Sequence, residues 1–257
     1  MKWPSHLVIF RHAESAYNAL RAQKANSELY QAFLTSFKAD YRSKETVELA
    51  QQVREKFALL CSDYTTPISD FGRQQALATG NRFSEADIPM PDIVYVSPYL
   101  RTNETLEELR EGGMDIGNAR IIQEDRIREQ EHGLSLLYSD WRVFHALHPE
   151  QKELYDQQGA YWYQYPQGES VSMLRDRVRS FVNTLVREHS GQVVYVVSHH
   201  LTKLSIRSLL ERWPPEEFIR VDNNEKPVNC GITHYIGNSE SGTDGKLELA
   251  EYNLQLW

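Results

Sequence analysis

The stretch LVIFRHAESAYN, residues 7–18, places four apolar residues directly before an arginine, a histidine and a run of small and polar side chains. Leu7–Phe10 has the composition of a buried strand, which reads as a continuous apolar run when both faces of its sheet are covered. Such a strand ends on Arg11 and His12, two side chains that must be wetted or paired. Two further segments repeat the pattern: Ile93–Val96 runs into Ser97-Pro98, and Val193–Val197 runs into Ser198-His199.

Between these strands lie segments with helical period. In SVSMLRDRVRSFVNTLVREH, Val171, Leu174, Val178, Phe181, Val182 and Leu185 fall three or four apart and form one apolar face. FGRQQALATGNRF and RTNETLEELREGG also read as helices, the second closed by a glycine C-cap. Strands alternating with helices predict an α/β fold of three layers, a mostly parallel sheet flanked by helices. Ligands of such sheets gather at the carboxyl ends of the strands. Arg11-His12, Ser97-Pro98 and Ser198-His199 would all stand there.

Residues 19–64 depart from the alternation. Tyr30, Phe33, Leu34 and Phe37 mark one amphipathic stretch, and Val47, Ala50, Val53, Phe57 and Leu60 mark another, with KADYRSKE as the break. The reading is a helical hairpin inserted after the first strand. It either packs on the core or folds over a pocket and selects the leaving group. GNSESGTDGK, residues 237–246, reads as a loop between two short terminal strands. No composition shift marks a boundary, so a single catalytic domain over residues 1–257 is expected.

The bulk properties narrow the partners. With 257 residues, 40% apolar and 25% charged, the chain can bury a substantial core. A net charge of −8 disfavours nonspecific attraction to nucleic acid or anionic membrane, although a local arginine cluster can still dominate a pocket. Cys61 and Cys230 form no motif, and MKWPSHLVIF lacks the apolar core of a secretory leader, so a cytoplasmic protein is expected. His145 and His148 have i,i+3 spacing, but Pro149 follows and no third ligand is evident, so no metal is expected there.

A lone histidine at a strand end is usually a satisfied structural residue. Two such histidines with two arginines and a glutamate in an irregular segment point to phosphoryl chemistry. A guanidinium offers parallel donors to two phosphate oxygens and stays charged at any working pH. A neutral imidazole can attack phosphorus and carry the phosphoryl group, and a carboxyl can protonate the leaving alkoxide.

Several motifs then stand in family order. RHAESAYN resembles R-H-G-E-x-x-x-N, with Ala13 at the glycine position, and PISDFGRQQA resembles L-T-x-x-G-x-x-Q-A, with Ser69 at the threonine. SPYLRTNET is similar to S-P-L-x-R-A-x-x-T, YPQGESVSMLRDRV to the P-G-G-E-S segment, and VVSHHLTKLSIRSLL to V-S-H-G-G-x-I-R. IREQEHG resembles the stretch that holds a proton donor, and PVNCGITHY a late strand-start motif. Together they resemble the histidine phosphatase superfamily, in its phosphoglycerate mutase-like branch. The resemblance implies that His12 accepts the phosphoryl group, that Arg11 and Arg101 clamp it, and that Asn18 contacts phosphate. It makes His199 the second catalytic histidine and Glu129 the proton donor, with Glu131 two residues away as a competitor for that role. It also implies a two-step mechanism without metal or cofactor.

Glu14 and Ser15 read as turn and cap residues, Ser170 as an N-cap, and Arg177 as a structural residue paired with a carboxylate. His200 stands where the family has glycine and would line the substrate site or alter backbone approach to phosphate. LSLLYSDWRVFHALHPEQKELY, residues 134–155, carries one arginine, Arg142, instead of the mutases' arginine pair. YWYQYPQGES resembles the Y-R-Y-P-x-G-E-S run of fructose-2,6-bisphosphatases, with Gln164 at the substrate-facing arginine. A phosphatase acting on a phosphorylated small molecule or phosphopeptide is therefore expected, as monomer or homodimer. Mutase-type phosphoryl transfer and a catalytically weak phospho-ligand scaffold remain the alternatives.

Overall fold

The computed structural model describes residues 2–59 and 61–257. In chain order the elements begin with β1 (His6–Arg11), α1 (Ala16–Ala25), α2 (Glu28–Ala39), α3 (Lys44–Lys56) and α4 (Asp70–Arg82). Next come β2 (Ile93–Val96), α5 (Leu100–Glu111), β3 (Arg120–Gln123), α6 (Trp141–Leu147) and α7 (Pro149–Gln158). The chain ends with α8 (Val171–Glu188), β4 (Val193–Ser198), α9 (His200–Leu210), α10 (Pro215–Asn224), β5 (Ile232–Asn238) and β6 (Lys246–Leu254). These elements divide into two compact units. A sheet unit takes the residues up to Ser15, Tyr64–Glu129 and Leu174–Trp257, and a helical unit takes Ala16–Asp63 and Gln130–Met173.

In the sheet unit the strand order is β3-β2-β4-β1-β5-β6. The first four run parallel, and β5 and β6 add antiparallel pairs at one side. The continuous apolar runs conceal a two-residue alternation, because both faces are covered. Leu7, Ile9, Ile93, Tyr95, Val194 and Val196 pack with Leu174, Val178, Phe181 and Leu185 of α8. Val8, Phe10, Val94, Val96, Tyr195 and Val197 face the other way, onto Ala76 of α4 and Leu106 and Leu109 of α5. This is the expected three-layer α/β arrangement.

Two glycines let α4 and α5 meet backbone to backbone. A Cβ on Gly80 would fall 2.1 Å from the Leu109 carbonyl oxygen, and one on Gly112 would fall 2.3 Å from that of Leu77. Only glycine permits such an approach. Ser69 caps α4, its Oγ accepting from the Gly72 amide at 3.0 Å while donating to Glu14 Oε1 at 2.7 Å. Gly112 caps α5 as the sequence suggests, and the left-handed residue is its neighbour Gly113 at φ +109°.

In the helical unit, α2 and α3 form the expected hairpin, restarted at Ser43, whose Oγ accepts from the Thr46 amide at 3.1 Å. Tyr30, Phe33, Ala50, Val53 and Phe57 pack with Val143 and Ala146 of α6 in one core. Leu60, expected to close the α3 stripe, lies outside the described residues. The hairpin is thus completed by residues far along the chain. Lys24, at the end of α1, is 2% exposed and pairs with Asp140 at 2.7 Å, and Asp140 also accepts from the Tyr30 hydroxyl at 2.6 Å. Among the described residues no helix is long and apolar enough to cross a membrane.

Candidate active site

The carboxyl ends of the four parallel strands lie side by side and carry most of the candidate residues. β1 ends on Arg11 and His12, β4 leads to His199, β2 leads through Ser97 to Arg101, and β3 leads to Glu129. Ladder hydrogen bonds extend past the strand ends and hold these turns in register. The His12 amide donates to the Ser198 carbonyl at 2.8 Å, and the Ser97 amide to the Val197 carbonyl at 3.0 Å.

His12 is 4% exposed, and its Nδ1 bonds the Ala13 carbonyl oxygen at 2.7 Å. A carbonyl only accepts, so Nδ1 carries the proton and Nε2 of the neutral ring keeps its lone pair. Burial first, and then the nearby Arg101 and Arg11 charges, hold the His12 pKa well below that of a free imidazole. The ring is neutral at physiological pH. Its backbone is also held, since the His12 carbonyl accepts from Asn229 Nδ2 at 3.1 Å and from the Cys230 amide at 3.2 Å.

His199 is fully buried, its ring centroid 5.3 Å from that of His12. Nε2 lies 2.7 Å from Ser97 Oγ, and Nδ1 is buried with no hydrogen-bond partner. Placing the proton on Nδ1 gives the Ser97 hydroxyl an acceptor at Nε2 and leaves one N–H donor unspent. Burial first, and the Arg101 charge second, lower the His199 pKa well below its ordinary value. Tyr99 links the two sides of this corner. The Arg101 guanidinium lies 4.8 Å from the Tyr99 ring centroid, and the His199 ring meets the same ring at 5.0 Å.

Arg11 is anchored through Nη1, which donates to the Pro227 carbonyl at 2.5 Å. The Gly231 carbonyl accepts both the Arg11 amide at 3.2 Å and Nζ of the fully buried Lys203 at 2.8 Å. His200 bonds Asp222 through Nε2 at 2.7 Å, and burial lowers its pKa against the raising effect of that carboxylate. Glu129 sits at the start of α9, accepting from the Leu201 amide at 3.2 Å and the Thr202 amide at 3.3 Å. Arg177 fixes the segment before it by donating to the carbonyls of Arg126, Arg128 and Glu129. Those bonds give Arg177 a structural role, as the sequence suggested.

The sheet unit thus brings together Arg11, His12, Arg101, Glu129, His199 and His200. Asn18 and Glu131 belong to the helical unit, Asn18 on α1 and Glu131 tied to Glu169, whose carboxylate accepts the Glu131 amide at 3.2 Å and whose amide donates to the Glu131 carbonyl at 2.7 Å. Among the described residues no group of three or more histidine, cysteine, aspartate or glutamate side chains is placed to hold a metal ion. Two guanidinium groups beside two neutral imidazoles, one with a free lone pair and one with a spare N–H, suit an anion that undergoes nucleophilic attack.

Sequence reading missed the supporting residues. Ser97 was visible as a strand-end residue, and Lys203 as one of two cations four residues apart in α9, but nothing in the sequence links either Ser97 or Lys203 to its partner. Asn229 and Asp222 carry no such signal.

Comparison with known proteins places the chain in a family. The model of the histidine phosphatase superfamily (branch 1) matches residues 48–242 and leaves β1, with Arg11 and His12, before the matched region. Phosphoglycerate mutase-like protein AT74H of Arabidopsis thaliana is 30% identical over 183 residues, which are 63% of this chain and 62% of that protein. Phosphoserine phosphatase 1 of Hydrogenobacter thermophilus is 31% identical over 138 residues, 51% of this chain and 58% of that protein. The chain therefore spans about six tenths of the length of the curated relatives it matches. A mycobacterial glucosyl-3-phosphoglycerate phosphatase solved with inorganic phosphate shares the fold, with a TM-score of 0.63 at 17% identity over 98% of each chain. The family match extends over most of the sequence, and this chain belongs to the histidine phosphatase superfamily, branch 1.

Proposed function

We propose that this protein is a phosphatase that hydrolyses a phosphomonoester through a phosphohistidine intermediate on His12. The observation that carries the reading is the state of His12: neutral, with Nδ1 bonded to the Ala13 carbonyl, and Nε2 free to attack beside Arg11 and Arg101. In the first step Nε2 attacks phosphorus, and the bond to the leaving oxygen breaks. Glu129 delivers a proton to that oxygen. In the second step the Glu129 carboxylate takes a proton from water, the hydroxide adds to phosphorus, and the N–P bond breaks. Arg11, Arg101 and the spare N–H of His199 stabilise charge on the phosphoryl oxygens. His200, held by Asp222, borders the phosphate and shapes the leaving-group side.

The substrate class is a phosphorylated small molecule or phosphopeptide. A relative named as a phosphoserine phosphatase supports hydrolysis. The single arginine in residues 134–155 weighs against mutase transfer, which needs a second anion clamp. The test is an aryl phosphate reaction quenched in base, with the bound phosphate mapped by mass spectrometry. Label on His12 is expected, and both label and turnover are lost in His12→Ala. Near-normal turnover by purified His12→Ala protein overturns the mechanism.

A further inference from the structure

The helical unit contains a cavity of about 470 Å³ to which no step above assigns a role. Leu34, Phe37 and Lys38 of α2 line it, with Tyr41 just beyond that helix, Arg142 of α6 and Lys152 of α7. Half of the lining is cationic and none of it is acidic. The remaining wall is apolar and aromatic, with Phe37 6.2 Å from the Tyr41 ring and edge-on to Trp141 at 6.4 Å.

Two of the three cations rest against aromatic rings. The Arg142 guanidinium rests 4.3 Å from the Trp141 ring centroid, and Lys152 Nζ lies 5.4 Å from that of Tyr41. The nearby acids are already committed. Asp156 pairs with Lys152, and Glu153 pairs with Arg42. Asp140 serves Lys24 and Tyr30 with one oxygen and caps the Arg142 amide with the other. Among the described residues, Lys38 and Arg142 form no ion pair, so two positive charges face one concave aromatic surface without a counter-charge. Like charges gathered this way repel, and an anion bound between them removes the repulsion. The volume falls within the range of small-molecule sites, and ring walls favour a flat partner.

We propose that this cavity binds a small, flat organic anion, with its ring against Phe37 and Tyr41 and its acid group on Lys38, Arg142 and Lys152. The proposal stands apart from the phosphatase reading, because all six residues belong to the helical unit and none takes part in phosphoryl transfer. Calorimetric titration of the full chain with naphthalene-2-sulfonate tests it, since that probe has no phosphoryl group to transfer. One saturable event is expected, weakened about tenfold or more by Lys38→Glu and by Arg142→Gln, the size of one charge-assisted hydrogen bond. Arg101→Ala should leave it unchanged, and the neutral naphthalene-2-methanol should bind at least about tenfold more weakly. Lys38 is exposed, so Lys38→Glu keeps the fold and decides the matter even where Arg142→Gln does not. Absence of saturable binding, equal binding of the neutral probe, or loss with Arg101→Ala but not with Lys38→Glu overturns the proposal.

Discussion

Single residues do their work here by fixing protons. The Ala13 carbonyl sets the tautomer of His12, and Ser97 holds the His199 ring through Nε2, which leaves Nδ1 as the nitrogen not engaged by the protein. The two histidines were legible in the sequence because each stands one residue beyond the polar end of an apolar run, His12 after Arg11 and His199 after Ser198. Their partners were not, since Ser97 and His199, like His200 and Asp222, meet only through the fold. The proposed roles predict graded losses. His199→Ala should lower kcat by about 10²–10³, the usual effect of removing one oxyanion donor. Ser97→Ala should lower it less, because the ring stays and only its orientation loosens. Equal activity of wild type and His199→Ala would remove His199 from the chemistry. Glu129→Gln should separate substrates by leaving group. Alkyl phosphates, which need protonation, should lose about 10²–10⁴ in kcat, and p-nitrophenyl phosphate far less. A uniform loss across both classes would assign the proton to another group.

At the scale of elements, apolar periodicity made α2, α3 and α8 legible, and the interior strands were legible because their β-branched runs are short. What packs on what was less so. Lys24 reads as one more cation in a mixed-charge insertion, yet it is buried, because its partner Asp140 lies on a segment more than a hundred residues later. Asp140 binds Lys24 and Tyr30 and also caps α6 through the Arg142 amide at 2.8 Å. Removing one member strands a buried charge, so Asp140→Ala should cost about 3–5 kcal/mol of unfolding free energy. The apolar pair Lys24→Met with Asp140→Leu should recover much of that loss, as buried ion pairs exchanged whole for packed side chains often do. Urea unfolding followed by circular dichroism measures both. A loss under about 1 kcal/mol in Asp140→Ala would show that water already compensates the lysine. Gly80 and Gly112 were legible only as glycines. The crossing of α4 and α5 explains them, and Gly80→Ala should force the two helices apart.

For the whole molecule, the shared feature is a set of imidazoles held neutral. His6, His12, His199 and His200 have pKa values lowered by burial, and His145 and His234 are lowered to about 4. An unfolded chain binds protons on these groups as pH falls through 6.5, while the native chain does not, so stability is lost on the acid side of that value. Each histidine contributes a slope of at most about 1.4 kcal/mol per pH unit. Urea midpoints at pH 8, 6.5 and 5.5 should therefore fall modestly across the first interval and several times more steeply across the second. A midpoint that stays level down to pH 5.5 contradicts the neutral assignment. The helical core carries a different consequence, one of timing. Phe33, Val53 and Phe57 leave the ribosome with α2 and α3, but Val143 and Ala146 follow only after roughly 85 more residues. At about 5–20 residues per second that is a wait of about 4–17 s. Over that interval the nascent hairpin shows its apolar face to solvent or to a chaperone. Slow codons between residues 57 and 141 should lengthen this exposure and lower soluble yield, without altering the finished protein.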